Sequence, residues 1–306
     1  MIGRFLAGLV ASLVVCLPVA AQDPTPTPLT LPAGRYGVTT TVGDLERTYL
    51  LDIPDSYASA PAEPAPLVIV LHGTGGSGAT IAEYAGFETL GERERLIVVY
   101  PDGVNANWED GRPGGSGADD VAFISQLITG LTTALNIDPA RIFVLGHSTG
   151  GTMAQRLACR LPDQIAAVGA VAAPLPEYLK PECDGSAPVP ILLIHGTDDT
   201  NFPWRGIPNT FLGARDTRDY WVTHNGCGIA SALLALPDTA PDDDTLTIQE
   251  RFTLCDGNAE VEVYGVYGGG HTYPGHTFPG SALLGPTSMD FDAAETLWAF
   301  FVASSE

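Results

Sequence analysis

The sequence predicts an α/β fold, a mainly parallel sheet with helices on both faces, and three observations predict it. Short unbroken apolar runs, Leu67–Leu71, Leu96–Tyr100, Ile142–Leu145 and Ile191–Ile194, have the composition of strands covered on both sides. Between them lie helical patterns; Val121, Ile124, Ile128, Leu131 and Leu135 recur at three- and four-residue intervals. Glycine-rich segments follow several of the apolar runs directly, which sets loops at the carboxyl ends of strands, where open parallel sheets collect their reactive groups.

At the N-terminus a single charge, Arg4, precedes an apolar run from Phe5 to Val19, and Val19-Ala20-Ala21 offers a small-residue cleavage site before Gln22. This is the pattern of a secretory signal peptide over residues 1–21, and Pro18 makes the stretch a poor spanning helix. Residues 22–34, with Asp23-Pro24-Thr25-Pro26-Thr27-Pro28, read as an extended leader, and residues 35–304 as one domain without internal repeats. Without Cys16, four cysteines remain: Cys159, Cys183, Cys227 and Cys255. An even number in an exported protein implies two disulfides, and of the three pairings the local ones, Cys159–Cys183 and Cys227–Cys255, are favoured. No two cysteines have zinc-ligand spacing, and no metal or cofactor is expected. A formal charge of −22, from 14 basic and 36 acidic residues, argues against nucleic acid and anionic membranes as partners.

Along the domain, Tyr36–Val42 and Leu45–Ile53 read as a hairpin about Gly43-Asp44, the antiparallel edge of the sheet. The connection from Pro54 to Pro66 leads into the strand Leu67–Leu71, which ends in His72-Gly73-Thr74-Gly75-Gly76. Thr80 to Glu94 has the composition of one helix, and the strand Leu96–Tyr100 follows. The loop Gly103–Gly117 carries Trp108 and precedes the helix with the apolar stripe. Ala166–Ala172 and Ile191–Ile194 read as core strands, Arg215–Asn225 as a helix, and Thr245–Phe252 and Glu260–Tyr267 as strands. Phe291, Ala294, Trp298 and Phe301 mark one face of a closing helix.

The chemistry concentrates at four strand ends. In Gly146-His147-Ser148-Thr149-Gly150 a buried strand meets a helix through a glycine-flanked turn, which makes Ser148 the candidate nucleophile. The motif alone arises by chance in a glycine-rich chain; its flanking strand and helix give it weight. Asp198 and Asp199 follow Ile191–Ile194, and either could fix a histidine tautomer. Gly268-Gly269-Gly270 releases the chain into a loop bearing His271, the candidate general base, ahead of His276. His72 and His195 more naturally hold strand ends. The backbone at His72-Gly73-Thr74 supplies an N–H which, with that of Thr149, can form an oxyanion hole. The order serine, aspartate, histidine is that of an α/β-hydrolase.

These segments together resemble the secreted esterase family that groups polyhydroxybutyrate depolymerases with feruloyl and acetylxylan esterases, over about Tyr49 to Phe301. The likeness rests on Leu71-His72-Gly73, Tyr100-Pro101-Asp102-Gly103 with Trp108, Asp119–Ile124, the Ser148 elbow, His195–Asp199 with Pro203-Trp204, Gly269–Gly275 and Asp290–Ala294. It implies that the acid stands four positions after the strand-end histidine, which selects Asp199, and its cysteine placements match the local disulfide pairs. Tyr273 replaces a common tryptophan and Thr200-Asn201-Phe202 a more apolar run, so the acyl-site wall differs. The activity implied is two-step hydrolysis of carboxylic esters through an acyl-enzyme, with hydroxyalkanoate polyester or oligoester first and feruloyl or acetyl esters of plant polysaccharide as the alternative. Trp108, Trp204 and Tyr273, with Phe278, are candidate substrate contacts. Acyl transfer to an alcohol, and a non-catalytic binding protein on the same fold, are the competing readings.

Overall fold

A computed structural model describes residues 29–228 and 230–305, the side chains of 230–232 excepted. The expected signal peptide and residues 22–28 of the leader lie outside the described residues. In chain order come β1 (Gly34–Val42), β2 (Leu45–Ile53), α1 (Asp55–Ala58), β3 (Ala65–Leu71), α2 (Gly78–Ala82), α3 (Phe87–Glu94) and β4 (Ile97–Pro101). Then follow α4 (Asp120–Ala134), β5 (Ile137–His147), α5 (Thr149–Arg160), β6 (Ala167–Val171), α6 (Lys180–Cys183) and β7 (Ile191–Gly196). The chain closes with α7 (Ala214–His224), β8 (Ala230–Ala235), β9 (Leu246–Phe252), β10 (Val261–Tyr267) and α8 (Ala293–Ser304).

The ten strands of the described residues join one sheet in the order β1-β2-β4-β3-β5-β6-β7-β10-β9-β8. From β4 to β10 every pairing is parallel; β1, β2, β8 and β9 add antiparallel edges. The apolar runs form the centre because each strand there feeds two cores. Leu67, Ile69 and Leu71 pack with α4, α5 and Trp221 on one face, while Val68 and Val70 pack with α2, α3 and α8 on the other. An alternating strand would have left one of those faces wet.

Two expectations are corrected, and one strand goes beyond them. The stretch Thr80–Glu94 is two helices, because Gly86 turns the chain at φ 79°. A side chain there would meet the His276 ring at 2.7 Å. The closing helix begins at Ala293 under the Asp292 cap, so Phe291 lies outside it and stacks on Tyr264 at 5.3 Å. β8 has no counterpart in the sequence reading, since its alanine-rich run carries no alternation.

Both cysteine pairs are bonded, Cys159 to Cys183 and Cys227 to Cys255. The first ties the far end of α5 to α6. A buried ion pair fixes the loop before α4: Arg47 and Asp120 are 2.6 Å apart, 2% and 0% exposed, with the guanidinium 3.9 Å over the Phe123 ring. Asp120 also accepts from the Glu109 N–H at 2.6 Å, and Arg47 donates to the Asp102 carbonyl at 2.9 Å. Burial raises the Asp120 pKa and the arginine opposes that rise.

Candidate active site

Ser148 follows β5 and precedes α5 with φ 58° and ψ −127°, a conformation that an L-residue adopts only where its surroundings impose it. Two glycines impose it here. A Cβ at Gly146 would fall on the Gly150 main chain, and one at Gly150 on the Leu71 carbonyl. The Ser148 N–H is meanwhile held by the Val171 carbonyl of β6 at 2.9 Å. Gly146→Ala is expected to cost about 1–3 kcal/mol or more through overpacking. Urea unfolding measures this, and an unchanged midpoint would contradict the tight turn.

The carboxyl end of β7 carries Asp199, and that of β10 leads to His271. His271 Nδ1 lies 2.8 Å from Asp199 Oδ2, and Nε2 lies 2.8 Å from Ser148 Oγ. With a carboxylate accepting from Nδ1–H, Nε2 is left to accept the serine hydroxyl proton. The other Asp199 oxygen accepts the N–H groups of Asn201 and Phe202, each at 2.8 Å. Asp198, by contrast, is exposed and bonds Thr197 Oγ1 at 2.9 Å. The loops bearing the aspartate and the histidine are joined directly. Asp198 N–H donates to the Gly269 carbonyl at 2.9 Å, and Gly268 N–H to Thr197 Oγ1 at 2.9 Å.

Thr74 and Thr149 stand beside the serine, their hydroxyls 3.0 Å apart. Among the described residues neither backbone N–H has a protein acceptor. Gly73 brings its strand end close: a Cβ there would lie 3.1 Å from Ser148 Cβ. Below, Thr152 links the first turn of α5 to Asp110, which is fully buried and paired twice with Arg112.

The three aromatic residues picked out as substrate contacts separate. Trp108 is 2% exposed and donates its indole N–H to the His72 carbonyl at 2.7 Å, so it packs under the strand end. Tyr273 is 0% exposed within the second core. Both are corrected to packing residues. Trp204 is half-buried, 5.9 Å from the His195 ring. The ring that touches His271 is Phe202, edge-on at 5.5 Å with Phe211 behind it, and the half-buried Tyr84–Phe278 stack, 4.4 Å between rings, lies one layer further out against His147. Tyr84 and Phe211 were invisible to sequence reasoning, because neither adjoins a motif.

His147 lies between that stack and His271: its ring is 5.3 Å from the His271 ring, and Nδ1 is 3.0 Å from the Tyr84 hydroxyl. Burial and the neighbouring imidazole push its pKa down to about 3. Burial also lowers His72, His195 and His224. His72 accepts from the Gly103 N–H at 2.9 Å, and His195 lies 2.8 Å from the Phe202 carbonyl. In each case the folded pKa falls below the unfolded one, so in the window between them the native state holds fewer protons than the unfolded chain. The stability they contribute is whole above the ordinary value of 6.5 and is lost progressively as pH falls below it, for His147 down to about 3. For His147 the slope approaches about 1.4 kcal/mol per pH unit. Melting temperature is therefore expected to drop between about pH 7 and about pH 5; a flat profile would contradict neutral buried imidazoles.

Comparison with known proteins follows the same lines. A family model described as esterase PHB depolymerase matches residues 48–175. NocK of Nocardia uniformis subsp. tsuyamanensis, a protein named as an esterase, is 32% identical over 266 residues, 79% of this chain and 76% of that protein. Feruloyl esterase D of Neurospora crassa is 28% identical over 275 residues, 86% of this chain and 84% of its own. Among solved structures, an acetyl xylan esterase from Aspergillus awamori superposes with a TM-score of 0.59 at 17% identity, over 78% of this chain and 94% of that one, a likeness of fold. Fold and likeness define the class: a serine hydrolase of carboxylic esters with the α/β-hydrolase fold. The chain belongs to the esterase family that unites polyhydroxybutyrate depolymerases with feruloyl esterases.

Proposed function

We propose that Ser148 is the nucleophile, His271 the general base and Asp199 the acid that fixes its tautomer. The observation that carries this is the unbroken chain of two 2.8 Å contacts from Asp199 through His271 to Ser148 Oγ. His271 Nε2 takes the hydroxyl proton as Oγ attacks the ester carbonyl, then returns it to the departing alcohol; water repeats the sequence on the acyl-enzyme. The N–H groups of Thr74 and Thr149 receive the developing oxyanion, donors of this kind contributing about 3 kcal/mol each.

The substrate in this reading is a hydroxyalkanoate oligoester or polyester. A second reading, a feruloyl ester, is favoured by the aromatic walls Phe202–Phe211 and Tyr84–Phe278 and by the relatives named as feruloyl esterases. We further propose one catalytic domain over 35–304, exported after loss of residues 1–21, a reading supported by the two disulfides and the apolar N-terminal run. No helix among the described residues is long and apolar enough to cross a membrane. The test is purified protein assayed on p-nitrophenyl acyl esters, methyl ferulate, acetylated xylan and polyhydroxybutyrate granules. Turnover of hydroxybutyrate esters is expected; activity on ferulate alone would replace the first reading with the second.

A further inference from the structure

A second feature adjoins the loop that carries Asp199. A cavity of about 430 Å³ is lined by Trp204, Arg205, Gly213, Arg215 and Asp216. A narrower pocket sharing Trp204 and Arg215 extends it toward Tyr267. The walls come from the two catalytic loops. Trp204 follows Asp199 by five residues, and Tyr267 precedes His271 by four. Their rings are 6.3 Å apart, and Trp204 lies over Gly265, where a Cβ would meet its ring at 3.1 Å.

The charges there are exceptional for this chain. Carboxylates outnumber cations so heavily that the other arginines of the described residues each sit at ion-pair distance from one. Arg205 and Arg215, both exposed and both on this cavity, have no such partner among the described residues. The Trp204 indole N–H likewise has no acceptor among them, and the loop is already anchored, Ala214 N–H donating to the Trp204 carbonyl at 2.9 Å. Two unpaired guanidinium groups bind carboxylate through charge-assisted hydrogen bonds, an indole face takes a ring or aliphatic chain, and Asp216 accepts from hydroxyls.

We infer that this cavity is a subsite for a hydroxylated carboxylate carried by the ester substrate at a distance from the scissile bond. It rests on the esterase reading for its role but not for its binding. Two sources share that chemistry, the free end of a hydroxyalkanoate oligomer and a uronate on an oligosaccharide. A ligand held there also bears on the acid, since the Trp204 ring packs on His195, whose Nε2 is 3.8 Å from Asp199 Oδ2.

Calorimetric titration of full-length Ser148→Ala protein tests it without turnover. The probes are the 3-hydroxybutyrate trimer against its methyl ester, and a glucuronate-bearing xylo-oligosaccharide against the unsubstituted one. In one pair the carboxylate member is expected to bind about tenfold tighter, the worth of one or two charge-assisted bonds. The pair that responds identifies the source. Arg205→Gln with Arg215→Gln should abolish the preference, and the double lysine variant should restore part of it. No preference in either pair, or a preference that survives the double glutamine variant, overturns the subsite. A failure of the esterase reading is seen separately, as Ser148→Ala protein that still hydrolyses esters.

Discussion

Ser148→Ala is expected to lower kcat by about a million-fold, the loss seen when a serine nucleophile is removed and only binding and oxyanion donors remain. KM should move little, because the hydroxyl contributes to the reacting bond rather than to ground-state contacts. The elbow itself should survive. Its backbone is imposed by Gly146, Gly150 and the bond from Ser148 N–H to Val171, none of which involves the hydroxyl. Hydrolysis of p-nitrophenyl acetate measures the effect, with an unchanged melting curve as the control for folding. Activity within tenfold of the parent would remove Ser148 from the mechanism.

Asp199→Asn follows, with an expected loss in kcat of about 10⁴-fold. The structure dictates which way the new amide points. One carboxylate oxygen accepts two backbone N–H groups, from Asn201 and Phe202, so the asparagine carbonyl must occupy that place. Its NH₂ then faces His271 Nδ1. Two donors cannot bond, so the imidazole shifts its proton to Nε2 and presents N–H, not a lone pair, to Ser148. Asp198→Asn is the matched control, since among the described residues that side chain bonds only its neighbour Thr197, and it should leave kcat/KM within about twofold. Equal losses in the two variants would break the assignment.

The strands were legible because a buried parallel strand needs apolar side chains on both faces, and few other structures demand runs such as Leu67–Leu71 or Leu96–Tyr100. The serine and histidine stood out because glycine is needed where chains turn sharply or approach closely. Residue chemistry alone left Asp198 and Asp199 open; family spacing chose between them, and only the folded loop shows which carboxylate meets the imidazole. The helix from Thr80 to Glu94 was misjudged because one left-handed glycine, Gly86, outweighs the propensity of the residues around it. Trp108 and Tyr273 were misjudged for another reason. Depth depends on what packs above a residue, here the hairpin and helices brought from far along the chain, and proximity to a motif says nothing about it. Tyr84 and Phe211 reach the site by the same long-range route.

The stitching between the turn after β7 and the glycine turn after β10 has a practical corollary. Because the Asp198 and Gly268 amides cross from one turn to the other, neither can be redrawn alone. An engineer grafting a relative's acid loop onto this scaffold would have to transplant the histidine loop with it, as one cassette, while the elbow could stay native.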